Sequence, residues 1–72
     1  MPNHYRIEYS YLRECVDGKF RRRSEVEYVH DWTAQEAVDF LTRLRSPDLQ
    51  GFRIEAVYRE TRNCWDIVDC WT

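Results

Sequence analysis

Apolar and polar residues alternate along both sides of Asp17-Gly18. Tyr5, Ile7, Tyr9 and Tyr11 occupy every second position before it, and Val26 and Tyr28 fall at the same period after it. A period of two puts each set on one face of a strand. Asp-Gly between two such runs is a hairpin signal, because a two-residue turn needs φ > 0 at both central positions. The pattern therefore predicts strands from His4 to Cys15 and from Lys19 to His30. With Asp17-Gly18 as the turn, Tyr11 faces Ser24, Tyr9 faces Val26, Ile7 faces Tyr28 and Tyr5 faces His30, all on one pleat face. The other face then pairs Glu14 with Arg21, Leu12 with Arg23, Ser10 with Glu25 and Glu8 with Glu27.

The period then changes. Thr33 with Glu36 three residues later reads as a capping box, and Trp32 can staple onto Ala37. Ala34, Ala37, Val38, Leu41 and Leu44 recur at helical spacing, with Phe40 at the edge of the stripe. Arg43 and Arg45 suit the negative end of the helix dipole, and Ser46-Pro47 stops the helix. Phe52, Ile54, Ala56 and Tyr58 then alternate with Arg53, Glu55, Val57 and Arg59, which reads as a half-buried strand. Glu60 to Asn63 reads as a turn and Cys64 to Trp71 as a last strand. Its register is open. A two-residue turn at Thr61-Arg62 turns Trp65 and Ile67 inward, and a three-residue turn does the same for Cys64, Val68 and Cys70. The expected fold is α+β in the order ββαββ, an antiparallel sheet with one helix on one face and a long projecting first hairpin.

Length explains the projection. A strand of twelve residues spans about 40 Å, whereas Thr33 to Arg45 makes about 20 Å of helix. The half of the hairpin from about Tyr11 to Ser24 should run past the core. That arm carries Arg13, Lys19, Arg21, Arg22 and Arg23, partly offset by Glu14 and Asp17. The register above sets Arg13 opposite Arg22, a repulsive pair.

At 72 residues the chain forms a single domain, 1–72, with a thin core, helped by eleven aromatic side chains. Hydrophobic residues make up 43% and charged residues 33%, as in a folded globular chain. The net charge of −2 excludes a globally basic nucleic-acid binder but permits a local basic patch. All basic residues but Lys19 are arginine, which suits either a GC-rich coding genome or an anion-binding face. No stretch has the length of a membrane helix, and residues 1–6 carry no apolar leader core. The default compartment is the cytoplasm of the producing cell or of an infected host.

Chemistry is sparse. Arg21-Arg22-Arg23 reads either as a β-ribbon contact for phosphate or an acidic protein surface, or as a charged edge that blocks sheet aggregation. Cys15, Cys64 and Cys70 form no C-x-x-C pair, so plain thiols are the simpler reading than zinc, and a bond from Cys15 to another cysteine stays open. His4, His30 and Asp31 should meet at the open end of the hairpin, as polar strand ends or as metal ligands. No catalytic constellation and no glycine-rich phosphate loop has a recognisable spacing, so no enzyme activity and no cofactor are expected. Trp71 is a candidate interface anchor.

The ββαββ order and the closing segment Trp65-Asp66-Ile67-Val68-Asp69-Cys70 resemble some compact phage-encoded anti-CRISPR proteins. One type I-F inhibitor family has a similar layout and a terminal Trp-Val-Asp-Cys segment. The resemblance implies a non-enzymatic inhibitor that docks on the CRISPR surveillance complex and hinders its capture of target DNA. The chain departs from that family in its basic arm and its near lack of lysine, so no residue role is carried over. The sequence thus predicts a binding protein whose contacts are Arg13, Lys19, Arg21, Arg22, Arg23 and Trp71. Its partner is a protein complex, or alternatively a nucleic acid held at its phosphates. Self-association as a homodimer is a third reading.

Overall fold

The computed structural model describes residues 1–71. Its elements follow the expected order: β1 (Asn3–Glu14), β2 (Phe20–Asp31), α1 (Ala34–Arg45), a 3-10 turn (Ser46–Asp48), β3 (Gln50–Thr61) and β4 (Cys64–Ile67). The four strands form one antiparallel sheet in the spatial order β2-β1-β3-β4, with α1 across one face. Tyr5, Ile7, Tyr9, Val29 and Val57 from the sheet meet Ala37, Val38 and Leu41 from the helix, and all are buried. Ile7, Leu41 and Val57 are buried almost completely, worth roughly 1.5–3 kcal/mol each.

The helix starts as its sequence dictates: the Thr33 hydroxyl accepts from the Glu36 N–H at 3.1 Å. Its stripe is narrower than expected, since Phe40 and Leu44 are exposed, and Trp32 is exposed rather than stapled onto Ala37.

The first hairpin differs from its expected register by one residue. Cys15 N–H donates to Lys19 O at 2.7 Å and Gly18 N–H donates to Cys15 O at 2.9 Å. The loop is therefore three residues, Val16 to Gly18, and only Gly18, at φ 80°, lies in the left-handed region. A three-residue loop that ends on a left-handed glycine is a standard alternative to the two-residue turn. One extra loop residue shifts every pairing. Tyr5 faces Val29, Ile7 faces Glu27, Tyr9 faces Glu25 and Arg13 faces Arg21. Val26 and Tyr28 lie on the sheet face away from the helix, opposite Glu8 and Arg6.

Strand β3 departs from strict alternation. Glu8 pairs with Ala56 but Tyr9 pairs with Ile54, so Glu55 is an extra residue in the ladder. A second irregularity lies where Gly51 takes φ 64° against Leu12. Phe52 and Ile54 pack toward the helix. Beyond the Glu55 bulge it is Val57, not Ala56 or Tyr58, that enters the core. The last turn is a two-residue one at Arg62-Asn63, both at positive φ, closed by the Thr61–Cys64 pair. Strand β4 ends at Ile67 rather than Trp71, and its Trp65 and Ile67 pair with Glu60 and Tyr58 on the face away from the helix. Val68 and Trp71 then pack against the core from beyond the strand. No helix among the described residues is long and apolar enough to cross a membrane.

Candidate binding surfaces

The hairpin does outrun the helix. Every residue of β2 from Phe20 to Val26 is exposed, and the molecule is 45 Å long but only 22 and 17 Å across. At the tip, Asp17 accepts from the Lys19 N–H at 3.0 Å, which sets the loop and leaves Lys19 exposed. Arg13 lies directly opposite Arg21, so the repulsive cross-strand pair is present, with Arg21 in place of Arg22. Strand alternation puts Arg13, Arg21 and Arg23 on one face. Arg13 and Arg23 together line a shallow hollow of about 220 Å³ with Glu14, Cys15 and Val16. The compensation is slight: Asp17 lies 3.6 Å from Arg21, and both side chains are well exposed.

Arg22 belongs elsewhere. It turns to the opposite face, where its Nη1 donates to Ser10 Oγ at 2.8 Å and to Gly51 O at 3.1 Å. Ser10 is buried and donates to Glu55 at 2.5 Å, and Arg53 donates to the same carboxylate at 2.8 Å. The Ser10 hydroxyl, with Arg53 beside it, holds the Glu55 carboxyl below its usual range. This cluster ties the base of the arm to the bulge in β3, so Arg22 is a supporting residue rather than a free contact. Trp71 is half-buried, with part of its surface packed against the core.

The acids that the one-residue shift brings to the helix face are all bonded. Glu25 accepts from the Tyr9 and Tyr11 hydroxyls at 3.0 and 3.1 Å. Burial and that hydrogen bond push the Tyr9 phenol up to about 12. Glu27 takes a two-pronged contact from Arg45 at 2.6 and 3.0 Å, and this holds its carboxyl below the usual range.

The face away from the helix carries a group that the expected register had hidden. His4 stacks on His30 at 4.2 Å and meets the Trp65 edge at 5.3 Å, while Tyr28 lies 5.7 Å from Trp65. Arg6 sits over the Tyr58 ring at 5.3 Å. Val26, Tyr28 and Ile67 are exposed beside them. The available signal was the β1 alternation itself: with Tyr5, Ile7 and Tyr9 inward, His4, Arg6 and Glu8 must point out. His4 contacts Glu60 at 2.7 Å, and no group of three His, Cys, Asp or Glu among the described residues is placed to hold a metal. Cys15 and Cys64 are free thiols. No family model, curated protein or solved structure matches this chain.

Proposed function

We propose that this chain is a non-enzymatic binding protein that docks on an acidic protein surface through its hairpin arm. The observation that carries this reading is the placement of Arg13, Arg21 and Arg23 on one face of a ribbon that outruns the core, with Lys19 at its tip. None of the four side chains has a buried role. Opposed like charges weaken an isolated ribbon, and an anionic partner would relieve that repulsion. The aromatic face beside the arm offers further contact area. In the form suggested by the type I-F resemblance, the partner is a CRISPR surveillance complex and the outcome is impaired capture of target DNA.

The second reading draws on the direct Arg13–Arg21 opposition: a ribbon with paired cations can lie along phosphates. The two readings part in a pull-down from the source cell with and without nuclease, run on the native chain and on Arg13→Glu/Lys19→Glu. Docking on protein predicts a discrete protein partner that survives nuclease and is captured about tenfold less by the variant. Capture that vanishes with nuclease, with a salt slope near the number of phosphates met, favours the second reading. Capture indifferent to both treatments removes the arm from the site.

A further inference from the structure

β2 is an edge strand that pairs with no strand but β1 among the described residues, and its sequence is complementary to itself. Read outward from Ser24 in both directions, Arg23 mirrors Glu25, Arg22 mirrors Val26, Arg21 mirrors Glu27 and Phe20 mirrors Tyr28. We infer that two copies of this chain pair antiparallel through β2, about a two-fold axis at Ser24, into one eight-stranded sheet. This inference stands apart from the docking reading.

The backbone permits that register. Cys15 and Lys19 form a hydrogen-bonded pair, so by alternation the odd residues of β2 bond to β1 and the even ones point their N–H and C=O outward. A two-fold axis at Ser24 sets even residues against even residues: Ser24 on Ser24, Arg22 on Val26, Phe20 on Tyr28. Every outward group from Phe20 to Tyr28 meets a counterpart. An offset by one residue would set outward groups against groups already bonded to β1.

The side chains agree with the backbone. The charge pairs Arg21–Glu27 and Arg23–Glu25 each occur twice, all on the helix side. Among the described residues Arg23 has no ion-pair partner, and Arg21 has only the distant Asp17. On the other side each Phe20 meets a Tyr28, and these rings, together with Val26, are exposed in the single chain. A symmetric interface needs one self-complementary patch, and this strand is one. Because Arg21 and Arg23 serve both surfaces, docking through the arm would compete with dimer formation.

The test is sedimentation equilibrium from low micromolar to about 1 mM, with circular dichroism as the check on folding. The native chain should pass from monomer to dimer mass, less readily at high salt. Arg23→Glu places like charges opposite each other twice and should weaken the dimer about tenfold or more. Arg23→Glu/Glu25→Arg restores opposite charges and should restore the dimer. Ser24→Pro removes an outward N–H at the axis while leaving the β1 pairing intact, and should yield a folded monomer; it decides the matter if the charge-swapped variant fails to fold. A native chain that stays monomeric throughout overturns the inference and leaves the arginines as an edge guard. A dimer that persists unchanged in Arg23→Glu and Ser24→Pro overturns it as well.

Discussion

Arg45 ends the helix with its guanidinium on Glu27, so one ion pair ties the edge strand to the helix C-terminus. A carboxyl held below its usual range adds stability above its unfolded pKa and loses it as pH falls through the lower folded value. The Glu27 contribution should therefore be complete near neutral pH, begin to fall below the unfolded value of about 4.5 and be gone once pH has passed below the folded value. Arg45→Gln should lower Tm by a few degrees near neutral pH and by much less near pH 2.5, as thermal melts followed by circular dichroism would read. An equal drop at both pH values would place the effect in helix packing instead. At this scale the sequence was misleading for a physical reason. Glu25 and Glu27 look like solvent residues until the Tyr9 and Tyr11 hydroxyls and Arg45 are seen to supply their hydrogen bonds.

The elements divide by how local their signals are. The helix was legible almost to the residue, because its cap, apolar spacing and Ser46-Pro47 stop all lie within the segment that they specify. Strand β3 was legible as a strand but not in its facing, because the extra residue at Glu55 breaks a period of two without any marker of its own. Strict alternation turns Val57 to solvent, whereas in the structure it is fully buried. The first hairpin turns where Asp17-Gly18 predicts, with a loop one residue longer than that dipeptide implies. Gly18→Val tests that loop. A Cβ there meets nothing within 4 Å, so the whole cost is the φ of 80°, about 1–2 kcal/mol. For a domain of this size that is roughly 4–8 °C in Tm per kcal/mol. An unchanged Tm would refute a left-handed residue at that position.

For the whole molecule, strand and helix lengths alone foretold the projecting arm, and the extents of 45 × 22 × 17 Å agree. The candidate site was legible in part. Arg13, Lys19, Arg21 and Arg23 stand on the arm, while Arg22 is tied to Ser10 on the other face and Trp71 packs part of its surface on the core. The uncovered aromatic face was missed because it depends on the hairpin register, a non-local property that one loop residue decides.

That loop residue also makes the chain a case of two competing alignments. The Asp-Gly dipeptide favours a tight turn that would slip β2 by one position and trade Glu25 and Glu27 for Val26 and Tyr28 beneath the helix. The observed pairing wins only by accommodating Val16, which is wholly exposed and touches no core residue. Deleting Val16 keeps Cys15 opposite Lys19 and lets Asp17-Gly18 close as a two-residue turn, so local preference and global pairing would point to one fold. The shortened chain should melt at a higher temperature than the native one. A higher Tm would place the hairpin's frustration in a single residue, the one to remove from any scaffold built on this protein, and an equal or lower Tm would make the three-residue loop the preferred one.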